Sequence, residues 1–224
     1  MAPRRGDTER VRRLYDAAAG RYDRSIALFE RLLFGGGREW VCSRARGEVL
    51  EIAAGTGRNL PFYPEDVRLT GVELSPRMLE VARRRAREIG READLCAGDA
   101  QDLPFRDASF DTVVCTLGLC TIPDDRGAVA EAARVLRPGG RLLLLEHVRS
   151  PVFPVRALQT LLEPLTMLLE NDHLTREPLR HVEGAGLTVE RLERSKWGIV
   201  ERLAARKPAA TNSSATASAR PPHP

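Results

Sequence analysis

From Glu48 onward the chain alternates short apolar runs with helical segments, and this alternation constrains the fold more than any other feature. Val49–Ile52, Arg68–Glu73, Ala93–Ala97, Phe110–Thr116 and Arg141–Val148 read as strands. Ser75 caps a helix that has Pro76 at its first position and Gly90 just past its end. Asp124 or Asp125 opens another, carrying Ala128, Ala132 and Leu136 and stopping at Arg137-Pro138-Gly139-Gly140. The four consecutive leucines Leu142–Leu145 mark a strand covered on both faces. Such a β-α-β-α order predicts an open, mostly parallel α/β sheet with helices on both faces. Beyond Ser150 the pattern gives a helical stretch over 152–170 interrupted by Pro154 and Pro164, a helix over about 174–185, and strands over 187–194 and 199–205. Seven strands are expected in all.

The two ends differ in texture from this centre. Residues 1–46 form a helical arm, with Val11, Leu14, Tyr15 and Ala18, then Ile26, Phe29, Leu32 and Leu33, at helical spacing before the break Gly35-Gly36-Gly37. From Lys207 the chain is too poor in large apolar residues to fold, so a disordered tail is expected over 207–224, behind a folded domain of 47–206. With 42% hydrophobic and 29% charged residues, the 224-residue chain is otherwise globular in composition. It has no apolar run of about 18 residues and no apolar stretch behind its basic N-terminus, so a transmembrane span and a secretory signal are not expected and a cytoplasmic location is. Four cysteines without a CxxC pair argue for reduced thiols rather than disulfides or a metal. The net charge of +4 does not indicate nucleic acid, because the basic residues, all but two of them arginine, are interleaved with 31 acids.

In a parallel α/β sheet, ligands bind at the carboxyl ends of the strands. After the first strand come Gly55 and Gly57, which let backbone approach a ligand because no Cβ intervenes. Glu73 ends the second strand, where a carboxylate can accept from both ribose hydroxyls, and Asp99 follows the third, where it can accept from an adenine amino group. The turn lacks the third glycine of a pyrophosphate cradle and is followed by Pro61, which disfavours a nicotinamide-dependent oxidoreductase. A sulfonium cofactor with an amino acid end has no phosphate to cradle, and its ammonium would find a carboxylate at Glu51. A non-catalytic nucleotide binder remains as an alternative.

The segments around Glu51–Asn59, Gly71–Met78, Gly98–Ile122 and Arg134–His147 resemble the class I S-adenosylmethionine-dependent methyltransferases. Within them they are similar to the type 11 group, which includes quinone C-methyltransferases and phosphatidylethanolamine N-methyltransferases. Tyr15–Asp23 is similar to that group's YDxxAxxYD opening, and the resemblance covers about residues 12–206. It implies a Rossmann-like fold and S-adenosylmethionine as cofactor. It also implies that Glu51, Gly55, Thr56 and Gly57 line the methionine end and ribose. Glu73 would take the ribose hydroxyls, with Leu74 a cofactor-binding position beside it, and Asp99 and Ala100 would take the adenine. Thr116 would close the site after the fourth strand and Tyr22 would cover it from the arm. Ala53 departs from the pattern, since it stands where the group's first glycine is usual.

The acceptor is less legible. Cys115–Cys120, Leu145–Val148 and Asn171–Glu177 are similar to animal thiol S-methyltransferases. Leu117, Cys120, His147 and His173 are the candidate acceptor-site residues, with His147 the candidate base and no metal expected. An apolar wall favours a small or lipid-like hydrophobic nucleophile, a thiol or amine ahead of a quinone ring carbon. The 152–170 helix, with one basic residue, is expected to pack as core or lid, peripheral membrane contact being the other reading.

Overall fold

The structure, a computed structural model, describes residues 5–209; the expected disordered tail lies outside them except at its first residues. The central domain is a seven-stranded sheet of order β3-β2-β1-β4-β5-β7-β6. Its strands are β1 (Glu48–Ile52), β2 (Arg68–Glu73), β3 (Asp94–Ala97), β4 (Phe110–Thr116), β5 (Leu136–His147), β6 (Thr188–Ser195) and β7 (Val200–Arg206). β1 to β5 pair in parallel, and β7 runs antiparallel to both β5 and β6. The Rossmann-like expectation holds, and the reversal of strand order falls between β1 and β4, where such sheets open their binding crevice.

Helices cover both faces because successive strand residues point to opposite sides. Val113, Cys115, Leu142 and Leu144 pack with Ala128, Val129 and Ala132 of α5 (Asp125–Val135) and with Val182 of α7 (Pro178–Gly184). Val114, Leu143 and Leu145 face the other side, with Val41 and Cys42 of α3 (Gly37–Cys42) and Leu79 and Ala82 of α4 (Pro76–Glu88). Ser75 caps α4 by accepting from the Met78 N–H, as its position before Pro76 predicts. Gly37 is required by contact: a Cβ there would lie 2.9 Å from the Leu145 methyls.

Several boundaries differ from the sequence reading. Leu136 begins β5 rather than ending α5, and Arg137–Gly140 form an irregularity within the strand, fastened when Gly139 N–H donates to the Lys207 carbonyl and Lys207 N–H to that of Gly140. Lys207 also donates through Nζ to the carbonyls of Ala133 and Leu136, so this residue belongs with the fold. α7 starts only at Pro178, because a proline disfavours helical backbone in the residue before it. Pro154 sits in the first turn of α6 (Phe153–Glu170), and Pro164 is accommodated without breaking it.

The larger difference concerns α6 itself. Among its residues only Gln159 is buried, while Phe153 is 72% and Leu161 75% exposed, and Leu158, Leu165, Leu168 and Leu169 are open as well. Core packing of this helix is therefore incorrect. Its apolar stripe does not meet the sheet, because Gln159, which bonds the backbone of Ser150, Val148 and Leu174, occupies the inward position. No helix among the described residues is long and apolar enough to cross a membrane.

Candidate active site

The carboxyl ends of β1 to β4 open into a cleft of about 660 Å³, including the open solvent at its mouth. Gly55, Glu73, Leu74, Asp99 and Ala100 line it from the sheet side, together with Leu117 from the turn after β4. The arm closes the other side. α1 (Arg5–Ala18) contributes Val11, Arg12 and Tyr15, and α2 (Tyr22–Leu33) contributes Tyr22. Tyr15 and Tyr22 meet edge to face, their ring centroids 6.1 Å apart.

Ion pairs and hydrogen bonds hold the arm down. Asp16 accepts from Ser75 Oγ at 2.6 Å and from the Arg77 N–H at 3.2 Å. Asp23 accepts from Thr56 Oγ1 at 2.6 Å and pairs with Arg85. Glu30 pairs with Arg38 and Arg58. These contacts use the polar residues of α1 and α2. Of the α2 residues at helical spacing, Phe29 and Leu32 lie in solvent, beside Leu28, while Ile26 and Leu33 are half-buried and Leu33 packs against the core.

Glu73 is buried, and its carboxylate accepts from two backbone groups: Gly55 N–H to Oε2 and Ser75 N–H to Oε1, each at 2.8 Å. It thus fixes the glycine turn against the start of α4 and still has lone pairs to offer the cleft. Burial pushes its carboxyl above the usual range, against the pull of those N–H donors. Asp99 accepts from the Gln101 N–H at 2.9 Å and from the Gln101 side chain. Gln101 in turn accepts from the Asp124 N–H at 2.8 Å, joining the turns after β3 and β4.

Other expected contacts lie behind the cleft wall. Glu51 is enclosed beneath the turn, accepting from Tyr63 Oη at 2.9 Å and Asn59 Nδ2 at 2.8 Å. Thr116 accepts from Arg38 Nη1 and Asn59 Nδ2, and Thr56 is engaged by Asp23. Gly57 abuts α4, where a Cβ would sit 2.8 Å from Leu60 and 3.1 Å from Ala82. These four shape the first turn from below, while Ala53, the position departing from the family pattern, lines the cleft.

Burial pushes the Glu51 carboxyl up to about 7, against the Tyr63, Arg38 and Asn59 interactions that lower it. A native carboxyl that keeps its proton after the unfolded one has lost it makes stability fall as pH rises between those values. The melting temperature is therefore expected to drop from about pH 5 to about pH 7, and Glu51→Gln to flatten that slope. Parallel thermal melts of both proteins check this, and identical slopes reject it.

The turns after β1 and β4 share a feature that spacing does not reveal. Ala53 and Leu117 both hold left-handed backbone, φ 53° each, conformations that cluster at functional sites. The turns pack so closely that a Cβ on Gly118 would sit 2.8 Å from the Ala53 Cβ. Buried Glu146 supports the second turn, its Oε1 accepting the N–H groups of Gly118 and Leu119 at 2.9 Å each. Arg12, Tyr15 and Gln101 also line the cleft unanticipated, as does Thr121. The acceptor candidates Cys120 and His147 sit behind the β4 turn, and His173 lies in the loop after α6, held by its N–H to the Cys120 carbonyl at 3.0 Å.

Residues 50–144 match the family profile described as a methyltransferase domain. The chain is 38% identical over 115 residues to a phosphatidylethanolamine N-methyltransferase of Cereibacter sphaeroides, covering 50% of this chain and 57% of that one. It is 35% identical over 150 residues to the thiol S-methyltransferase TMT1B of Rattus norvegicus, covering 65% and 62%. To a demethylmenaquinone methyltransferase of Tropheryma whipplei it is 34% identical over 175 residues, covering 74% and 72%. The matches thus span from 57% to 72% of these relatives' lengths. In fold it is similar to a solved SAM-dependent methyltransferase of Thermotoga maritima, with a TM-score of 0.67, 23% identity, and coverage of 87% of this chain and 99% of the other. The chain belongs to the type 11 group of class I S-adenosylmethionine-dependent methyltransferases.

Proposed function

We propose that the protein transfers the methyl group of S-adenosylmethionine to a small or lipid-like hydrophobic nucleophile, a thiol or amine ahead of a quinone ring carbon, in the cytoplasm. The supporting observation is the cleft itself: Gly55, Glu73 and Asp99 line one side in the order a nucleoside with an amino acid tail requires, and Leu117 and Ile122 offer apolar surface beside them. In this reading Glu73 accepts from the ribose hydroxyls, Asp99 from the adenine amino group, and Tyr22 covers the sulfonium. Glu51, Thr56, Gly57 and Thr116 support the turns beneath the cofactor. Methyl transfer from a sulfonium is an in-line displacement, helped chiefly by holding donor and acceptor at attacking distance and excluding water. The clamped arm, with Tyr15 and Tyr22 over the cleft, suits that task.

The relatives reported above are, by name, methyltransferases of phosphatidylethanolamine, of a thiol and of demethylmenaquinone. The open leucine face of α6 favours the lipid-like end of this range, because it could rest against a lipid surface holding the acceptor. Calorimetry is expected to show S-adenosylmethionine binding and no NAD(H) binding. Radiolabelled cofactor should then label hydrophobic thiols or amines, free or in phospholipid vesicles. Binding of NAD(H) alone, or label passing only to RNA, sugar or protein, rejects the proposal.

A further inference from the structure

Gln101 lines the cleft beside Asp99 and Ala100, and its hydrogen bonds reach three separate elements. Its backbone N–H donates to Asp99 Oδ1 at 2.9 Å. Its side-chain Nε2 reaches the same oxygen at 2.9 Å and Oδ2 at 3.0 Å. Nε2 also donates to Thr8 Oγ1 on α1 at 3.2 Å, and Oε1 accepts the Asp124 N–H at 2.8 Å. Both ends of the amide are thereby committed. Oε1 must face Asp124, since a backbone N–H can only donate, so the amide nitrogen must face the Asp99 carboxylate. One side chain thus joins the turn after β3, the arm and the start of α5, where Asp124 is the capping residue.

These bonds leave the carboxylate little to offer. A carboxylate has about four lone-pair positions, two on each oxygen. Oδ1 takes two donations from Gln101 and Oδ2 takes one, so the remaining position is on Oδ2. Nor does the amide keep a hydrogen for a ligand, because Asp99 and Thr8 share both. The Asp99 carboxylate and the Gln101 amide therefore present one carboxylate acceptor to the cleft and no donor.

Resting on the cofactor reading above, we infer that Gln101 is a positioning residue that makes the cleft select a 6-aminopurine over a 6-oxopurine. The amino group of adenine donates into the open position on Oδ2. A 6-oxopurine presents a carbonyl oxygen in its place, so two acceptors meet with no hydrogen between them. Its own N–H stands one ring position away. A half-buried carboxylate without restraint could turn to follow that N–H, or admit a bridging water. Gln101 opposes such turning twice, through its backbone and through its side chain. Selectivity then rests on the carbonyl that is denied a partner as much as on the amino group that finds one.

Calorimetry with S-adenosylhomocysteine and S-inosylhomocysteine tests this, since neither carries a methyl group to transfer. Wild type is expected to bind the adenosyl ligand about 100-fold more tightly than the inosyl one. Gln101→Met keeps the side chain's length but frees the carboxylate, and should narrow that ratio to about tenfold or less. A residue that merely braced the turns would weaken both ligands alike and leave the ratio unchanged. Asp99→Asn gives a second test through an isosteric change that decides even where Gln101→Met does not fold. The two donations at Oδ1 hold the new amide's oxygen there and turn its nitrogen to the Oδ2 side. The preference should therefore invert, with the inosyl ligand bound more tightly. Adding Gln101→Met lets that amide flip, and the ratio should return towards one. A wild-type ratio near one, a ratio unchanged by Gln101→Met, or an Asp99→Asn variant that weakens both ligands equally overturns the inference and leaves cofactor binding standing. A wild type that binds neither ligand overturns the cofactor reading as well.

Discussion

Arg38→Met is expected to destabilise the protein by about 3–5 kcal/mol, the cost of removing one partner from a buried ionic network. Arg38 is 8% exposed and joins three elements. Its Nε and Nη2 donate to Glu30 on α2 at 2.6 and 3.1 Å, and its Nη1 donates to Asn59 below the first turn and to Thr116 at the end of β4, both at 2.8 Å. Methionine fills similar space, so the loss would report polar groups left without partners rather than a cavity. Glu30 would keep Arg58 alone, and the inner anchor of α2 would be gone. In a chain of this size the melting temperature should fall by roughly 6–20 °C. Cofactor affinity should fall with it, because Tyr22 opens α2 and lines the cleft. Adding Glu30→Gln should restore part of the stability by neutralising the stranded carboxylate. A melting temperature within about 2 °C of wild type would remove Arg38 from this role.

That network also shows where sequence reading stops. β1 to β5 and the helices between them were legible because each signal was local: an apolar run, Ser75 before Pro76, Gly90 behind the helix. Arg38 has no such signal. It lies just after a glycine run and contacts residues 21 and 78 positions away, a pairing that only the closed arm creates. The same holds for α6, whose leucine periodicity is real but turned outward, since periodicity fixes a face without saying which neighbour it meets.

Within the site, one-residue signals separated well into those that line the cleft and those that support it. Gly55, Glu73 and Asp99 lie at the ends of strands or just past them, where strand direction alone aims them at the crevice. Glu51 sits within β1 and Thr116 ends β4 as Glu73 ends β2, yet their side chains are absorbed by Asn59, Tyr63 and Arg38, which strand position alone does not reveal. Asp172 was unreadable for another reason. Its side chain bonds that of His147, 25 residues away and beyond an 18-residue helix, and no spacing rule connects the two.

Glu73→Ala is expected to act on two quantities at once. Gly55 N–H and Ser75 N–H would each lose a buried acceptor, at about 1–3 kcal/mol apiece, so stability should fall even without cofactor. Cofactor affinity should weaken by a further 1.5–3 kcal/mol or so, about 10- to 150-fold in Kd, if the carboxylate also takes the ribose hydroxyls. Glu73→Gln separates the two effects. Its amide oxygen can still accept from one backbone N–H, recovering part of the stability, but the charge that strengthens the ribose bonds is gone, so most of the affinity loss should remain. The acid limb gives an independent check. Burial raises the Glu73 carboxyl, and the ribose hydroxyls bind its ionised form, so wild-type affinity should fall as pH drops through that raised value. In Glu73→Ala that acid-side loss should vanish, leaving one weak affinity across the range. An alanine variant that melts earlier yet binds S-adenosylmethionine as tightly as wild type would make Glu73 a brace for the turn and no ligand of the cofactor.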